Sequence, residues 1–411
     1  MRVLFTVFPS AAHLHPVVPL ARALQSAGHE VRVAMHPDMV GTVTAAGLTA
    51  VPVGTSDDLR PVVDLSRHPE RLDQLTANLA LDTEDPGDWR EKWRHVCNVL
   101  SLYPAVLDDL VDLARGWRPD LVVWDTFCLP GAIAAHLVGA THVRYLWGQD
   151  NIGWLRQRSL AARDADDPLP GLMKPLLAPY GLDFREEFLT GRFTLDLMPP
   201  GLALPLDVRR IPVRRVPYNG VGHHPAWLRE RPARPRVCFT LGLGGRGRQF
   251  FRETGVALPE LLDAVADLDV ELVATLDDGQ VAELTDVPPH VRTTGYVPLD
   301  QLLPSCAAVV HHGGGGTFAT AVAHEVPQLV VPLPFWAEQA TARYVHRKGA
   351  GILRPSAEFA TDTFREDLRR LLHEESFRRG AAALHEESLA TPAPGDVVPV
   401  LERLAARPAR T

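Results

Sequence analysis

Cysteine is scarce in this chain: Cys97, Cys128, Cys238 and Cys306 are all that 411 residues contain. They are widely spaced, sit among apolar neighbours and form no CxxC pair, which excludes a disulfide framework and a cysteine-built zinc site. A basic excess is missing too: 42 Lys and Arg stand against 50 Asp and Glu, a net charge of -8 with a pI near 6.1. Nothing in that balance attracts a nucleic-acid backbone or an anionic membrane surface. No apolar run approaches the roughly 20 residues that cross a bilayer. The first run, residues 3–8, stops at Pro9 and is too short for a signal-peptide core, so a cytoplasmic protein is expected. Metal-ligand spacing is absent as well. The pairs His223-His224 and His311-His312 are adjacent rather than at helical spacing, and Asp267-Leu268-Asp269 and Asp164-Ala165-Asp166 read as solvated surface.

A hydrophobic content of 46% over this length exceeds what one core supports, so two domains are expected. Residues 3–8 read as a buried strand, then a loop, then a helix over 16–27 closed by Gly28, and a second strand begins at Glu30. Further strands read over 48–53, 121–124 and 141–146, with a helix over 129–138. This alternation predicts a parallel, doubly wound α/β sheet. Residues 57–89 and 161–205 read as insertions over one end of it. Pro, Gly, His and Arg crowd residues 218–235, which we read as a linker between a domain over 1–217 and a second over 236–411. The second half repeats the alternation, with strands near Val237, Leu272, Val291, Val309 and Leu329 and helices near Leu258, Ala319, Ala340 and Phe364. Two Rossmann-like domains facing an interdomain cleft are the expected architecture, because open α/β sheets bind ligands beyond the carboxyl ends of their strands.

The strongest single signal is His311-His312-Gly313-Gly314-Gly315-Gly316-Thr317, which runs out of an apolar strand and into a helix. Glycines let the backbone approach a ligand and leave N–H groups to face it, and the helix adds the positive end of its dipole. Thr317 offers a hydroxyl and His312 an imidazole N–H, a set that suits a departing diphosphate. A second glycine run, Gly242-Leu243-Gly244-Gly245-Arg246-Gly247, spells the dinucleotide fingerprint after a strand. It reads as a decoy on two grounds: residues 248–255 do not open a regular helix at once, and no acid ends the next strand.

Together with the glycine run, the segments His13-Leu14-His15-Pro16, Gly28-His29-Glu30-Val31, Leu146-Trp147-Gly148, Tyr218-Asn219-Gly220 and Gly295-Tyr296-Val297-Pro298 resemble those of inverting GT-B glycosyltransferases of the UDP-glycosyltransferase superfamily. The likeness is to the bacterial enzymes that attach deoxysugars to polyketide antibiotics, and it spans nearly the whole chain. It implies His13 as the catalytic base and Asp125 as the acid behind it. A base near neutrality typically contributes about 10²- to 10⁴-fold, and a carboxylate behind it steadies the imidazolium. The plain alternatives are a loop histidine capping the helix that starts at Pro16, and a helix N-cap before Pro130. His15 is the competing base. On the donor side the resemblance implies Tyr296 stacked on the nucleobase, Val297 reading the base edge through its backbone, and Glu338-Gln339 holding sugar hydroxyls. Core packing and a polar first helical turn are the alternatives. Thr240 and Gly242 would line the diphosphate. Thr320 stands where plant relatives carry a ribose-binding glutamate, which favours dTDP over UDP.

The implied reaction moves a deoxysugar from a dTDP- or UDP-sugar to a hydroxyl of a hydrophobic polyketide, with no metal or cofactor besides the nucleotide sugar. Phe8, Phe127 and Trp147 are the aromatic candidates for the acceptor side. Transfer to an aromatic carbon, and a catalytically silent nucleotide-sugar-binding subunit, remain open at this point. So do a homodimer and a cytochrome-P450-like helper protein as partners. The last helix of the chain is free to pack back on the N-terminal domain.

Overall fold

The computed structural model describes residues 1–55, 79–84, 86–101, 106–163, 166–242, 246–282, 284 and 286–406. Much of the acidic stretch 57–89, Asp164-Ala165 and residues 243–245 of the second glycine run lie outside the described residues. The chain divides into two compact units. One is Met1–Arg215 together with the C-terminal segment from Thr391, and the other is Val216–Ala390. Residues 218–235 cluster with the second unit rather than standing apart as a linker, and the C-terminal segment clusters with the first unit, as the sequence allowed for the last helix. There the helix α6 (Pro394–Ala405) packs on α1 (Ala11–Ser26), with the His29 ring 3.0 Å from the Glu402 carboxylate.

The first unit carries a seven-stranded, wholly parallel sheet in the order β3-β2-β1-β4-β5-β6-β7. Its strands are β1 (Arg2–Thr6), β2 (Glu30–Met35), β3 (Thr49–Pro52), β4 (Leu121–Asp125), β5 (Thr141–Leu146), β6 (Thr194–Asp196) and β7 (Arg210–Pro212). Strands covered on both faces read as continuous apolar runs, and β1 and β4 do so between their ends. The last two strands of the sheet, β6 and the edge strand β7, are only three residues long. That is too short for any periodicity, so β6 falls inside the stretch 161–205 read as an insertion.

The second unit carries six parallel strands in the order β10-β9-β8-β11-β12-β13. They are β8 (Arg236–Thr240), β9 (Glu271–Thr275), β10 (Val291–Thr294), β11 (Cys306–His311), β12 (Gln328–Val330) and β13 (Gly351–Leu353). Its core joins Val237, Phe239, Leu272 and Val310 of the strands to Phe250, Leu261, Phe364 and Leu368 of the covering helices. Both sheets reverse strand order between their first strand and their fourth: β1 beside β4, and β8 beside β11. Those two switch points are where such sheets open a crevice.

Three local expectations are corrected. Helix α1 starts at Ala11, so Pro16 and Pro19 lie inside it rather than at its start, and His13 and His15 are helical. Proline favours a first helical turn, which is why residue 16 looked like the beginning. Helix α3 (Arg246–Thr254) opens within the second glycine run, at Arg246. Helix α4 (Gly315–Ala323) takes Gly315 and Gly316 into its first turn, leaving Gly313 and Gly314 as the loop.

Helix α2 (Leu129–Leu137) lies so close to β1 and β4 that a Cβ on Gly131 would stand 2.1 Å from Thr6 Oγ1 and 2.9 Å from Trp124 Cβ. Gly131→Ala should therefore cost about 1–3 kcal/mol through overpacking. Urea denaturation checks it; an unchanged midpoint would mean that the helix has room to move.

Candidate active site

At the switch point of the first sheet, His13 is in the first turns of α1 just after β1, and Asp125 is the last residue of β4. Adjacent registry of the two strands, Thr6 opposite Trp124, brings them together. His13 Nδ1 lies 2.7 Å from Asp125 Oδ2, with both side chains buried. The other carboxylate oxygen, Oδ1, accepts the Phe127 backbone N–H at 2.8 Å. Asp125 thus caps the turn that follows β4 and partners His13 at once. The adjoining helix α2 has Cys128, not Asp125, at its N-cap. With Asp125 accepting at Nδ1, the neutral ring carries its proton there and Nε2 is the basic nitrogen.

All three aromatic candidates surround that ring. Trp147 lies 4.3 Å from it between centroids, Phe8 5.0 Å and Phe127 5.5 Å. Phe127 is buried, whereas Phe8 and Trp147 are half-buried and keep apolar surface available. His15, two residues along α1, is a different environment: burial and then the charge of Arg215 hold its imidazole below the ordinary value.

Three residues that the sequence reading passed over make contacts on either side of Trp147 or with its backbone. Arg215 Nη1 donates to the Trp147 carbonyl at 2.7 Å. Arg144, fully buried on β5, makes a two-pronged pair with Asp150, and Asp150 Oδ1 also accepts Gly153 N at 2.9 Å at the start of the helix Asn151–Ala162. An arginine in the middle of an otherwise apolar strand was the available signal, because a charge is buried there only with a partner.

At the switch point of the second sheet, the loops after β8 and β11 meet. A Cβ on Gly242, whose φ is +72°, would stand 3.5 Å from His312 Cε1, and one on Gly314 only 2.8 Å from His312 Nε2. Gly313, at φ +99°, backs onto Glu338, where a Cβ would fall 3.0 to 3.2 Å from that residue. Glycine is required at Gly313 on both counts. His311 is turned inward: Gly313 N donates to its Nδ1 at 3.1 Å, and its Nε2 lies 3.0 Å from Gln328 Oε1. His312 Nδ1, by contrast, is buried without a hydrogen-bond partner among the described residues. Burial, His311 and Arg246 together push the His312 imidazole down to about 3, so it is a neutral donor at physiological pH.

Thr240 is buried, with its Oγ1 taking the Thr275 hydroxyl at 2.8 Å. Thr317 is buried in the first turn of α4, and Gly316 is exposed. Val297 is core, packed with Leu302, Val309 and Ala321, so only its backbone is left to read a ligand; Tyr296 keeps 46% of its surface exposed. Glu338 opens α5 (Glu338–Arg347) and is buried against the glycine loop, with Gln339 half-buried beside it. Thr320 is wholly buried; its hydroxyl donates to Gly316 O at 2.9 Å and accepts from Asn219 Nδ2 at 3.2 Å. Asn219 Oδ1 in turn accepts Asp300 N at 2.9 Å, which ties the segment 218–220 to the donor-side helices.

With that geometry established, the comparisons with known proteins become decisive. Residues 22–242 match the N-terminal domain, and residues 259–404 the C-terminal domain, of the family described as erythromycin biosynthesis protein CIII-like. The chain belongs to this family of glycosyltransferases. It is 42% identical to 10-deoxymethynolide desosaminyltransferase of Streptomyces venezuelae, over 99% of this chain and 98% of that protein. With aclacinomycin-T 2-deoxy-L-fucose transferase of Streptomyces galilaeus the identity is 40%, over 99% and 96%. Among solved structures, glycosyltransferase VinC in complex with dTDP is 40% identical with a TM-score of 0.88, covering 98% of this chain and 99% of that one. The fold is GT-B and the protein is a glycosyltransferase.

Membership also corrects the treatment of the second glycine run. The helix α3 that was expected not to form does form. An acid, Asp277, does follow β9, although its Oδ1 is engaged with Gln280 N at 2.8 Å. The dinucleotide reading fails because of what the whole chain matches, not because of this loop. Among the described residues, no helix is long and apolar enough to cross a membrane, and no group of three or more His, Cys, Asp or Glu could hold a metal ion.

Burial raises the Glu338 carboxyl to about 7, opposed by the charge of Arg246. An acid whose native pKa exceeds its ordinary 4.5 holds its proton more tightly when folded. That contribution to stability is present at low pH and is lost as pH rises through about 7. Glu338→Gln cannot ionise, so it should match the parent near pH 4.5 and exceed it above pH 7, by about 3 kcal/mol at the limit. Thermal melts at pH 5 and pH 8 check this: a parent-to-variant gap equal at both pH values would contradict a buried, proton-holding Glu338.

Proposed function

We propose that this glycosyltransferase moves a deoxysugar from a dTDP-sugar to a hydroxyl group of a macrolide- or anthracycline-type polyketide in the cytoplasm, with no cofactor besides the nucleotide sugar. The observation that carries the reading is the buried His13–Asp125 contact inside the ring of Phe8, Phe127 and Trp147. The acceptor hydroxyl gives its proton to His13 Nε2 as its oxygen attacks the anomeric carbon, and Asp125 steadies the imidazolium that results. The C–O bond to the diphosphate breaks on the opposite face, so configuration inverts. The leaving diphosphate meets the N–H groups at the start of α4, the Thr317 hydroxyl and the His312 N–H. The aromatic ring set offers an apolar polyketide a face on which to stack.

The relatives' names support the sugar and acceptor classes: a desosaminyl, a 2-deoxyfucosyl and, in Streptomyces fradiae, a tylactone mycaminosyl transferase at 41% identity. The dTDP preference is supported by Thr320. It places no carboxylate for a ribose diol and spends its hydroxyl on Gly316 and Asn219. A second relative, spinosyn rhamnosyltransferase SpnG, was solved with thymidine diphosphate at 30% identity and a TM-score of 0.78, covering 98% of this chain and 100% of that one. A silent subunit would have no use for an intact His13–Asp125 contact, and transfer to carbon has no observation in its favour.

His13→Ala should lower kcat by about 10²- to 10⁴-fold while leaving dTDP affinity unchanged. Isothermal titration together with turnover of a dTDP-deoxysugar and a macrolide aglycone, with EDTA present, checks both. Full turnover by the variant, or binding of UDP in preference to dTDP, would contradict the reading.

A further inference from the structure

The donor-side residues named so far contain no cation. Thr240, Gly242, Gly313 to Gly316, Thr317 and Gln339 are neutral, His312 is held neutral, and Glu338 is an acid. A nucleoside diphosphate carries at least two negative charges and gains another as the sugar leaves, so N–H dipoles alone would have to hold it against a neighbouring carboxyl. We propose that Arg246, the first residue of α3, is the cation of this subsite and grips the leaving diphosphate. The inference rests on the glycosyltransferase reading of the glycine loops.

The geometry places a cation there. Arg246 follows β8, whose neighbour in the sheet is β11, and β11 is flanked on its other side by β12. The three loops that leave these adjacent strands carry Arg246, His312 and Glu338 respectively. The charge of Arg246 bears on both His312 and Glu338. Its side chain is placed rather than loose: Nη1 donates to Gln249 Oε1 at 3.0 Å, and Gln249 is itself buried on α3. The guanidinium lies 4.0 Å from the centroid of the Phe335 ring, in the loop that leads to Glu338. A second, independent observation points to a ligand at the same place. His312 Nδ1 is buried and unpartnered among the described residues, in a ring pressed between Gly242 and Gly314. A planar guanidinium can bridge two phosphate oxygens at once, which a lysine ammonium does less well.

The test is a titration of thymidine, dTMP and dTDP against the whole wild-type protein, Arg246→Gln and Arg246→Lys, with melting temperatures as a folding control. The wild type is expected to bind dTDP much more tightly than thymidine. Arg246→Gln should lose about ten- to a hundredfold in dTDP affinity with thymidine affinity unchanged, and Arg246→Lys should fall between. In turnover, Arg246→Gln should lower kcat as well as raise the donor KM, because the charge it meets grows in the transition state. Equal dTDP binding by wild type and Arg246→Gln would overturn the assignment and leave the donor site standing. An equal loss of thymidine and dTDP would overturn it in favour of a structural role. A wild type that does not distinguish dTDP from thymidine would bring down the donor-site reading itself, and the assignment with it.

Discussion

The contact between His13 Nδ1 and Asp125 Oδ2 is the interaction on which the functional half of the first unit depends. It exists because β1 and β4 are neighbours although more than a hundred residues separate them in sequence, and because the strand order reverses between them. Parallel strands deliver every following loop to the same edge of the sheet, and at the reversal two such loops diverge. His13 arrives there on a helix and Asp125 on a strand end, both rigid elements. Asp125 spends one oxygen on Phe127 N, which fixes the carboxylate before His13 is considered. As the proposed base, a His13 held in this way would need no rearrangement to keep the correct nitrogen available, and such pre-set geometry lowers the cost of reaching a transition state.

The second unit repeats the same construction with a different outcome. At its switch point the loops after β8 and β11 bring glycines rather than a reactive pair together. The reason is spatial: a Cβ on Gly314 or Gly313 would occupy the place of His312 or crowd Glu338. Removing side chains there exposes backbone N–H groups, and the start of α4 adds its dipole. In the proposed reaction, one topology thus supplies a proton acceptor in the first unit and an anion receiver in the second, with side-chain size deciding which.

Strands such as β1, β4, β8 and β11 were legible because a parallel strand buried on both faces is a continuous apolar run. Strands β6, β7 and β13 were not, since three residues carry no period and their sheet position depends on neighbours distant in sequence. The start of α1 was misplaced because Pro16 mimics a helix beginning. His13, Asp125, His312 and the glycine run stood out as chemistry at strand ends, and their mutual distances came only with the fold. Arg144, Asp150 and Arg215 were not legible because a buried charge that holds the segment around Trp147 looks like any surface charge until its burial is known. Helix α3 was not legible in Arg246–Thr254, because a segment rich in charge and opened by Arg246-Gly247 carries little local helix signal.

The central claim is the proposed single displacement at the anomeric carbon, in which His13 takes the acceptor proton and configuration inverts. The measurement that tests it most directly is the anomeric configuration of the glycoside product, read from proton coupling constants and compared with that of the nucleotide sugar supplied. Opposite configurations are predicted. A product that retains the donor's configuration would require a second displacement and would contradict the role given to His13 and Asp125.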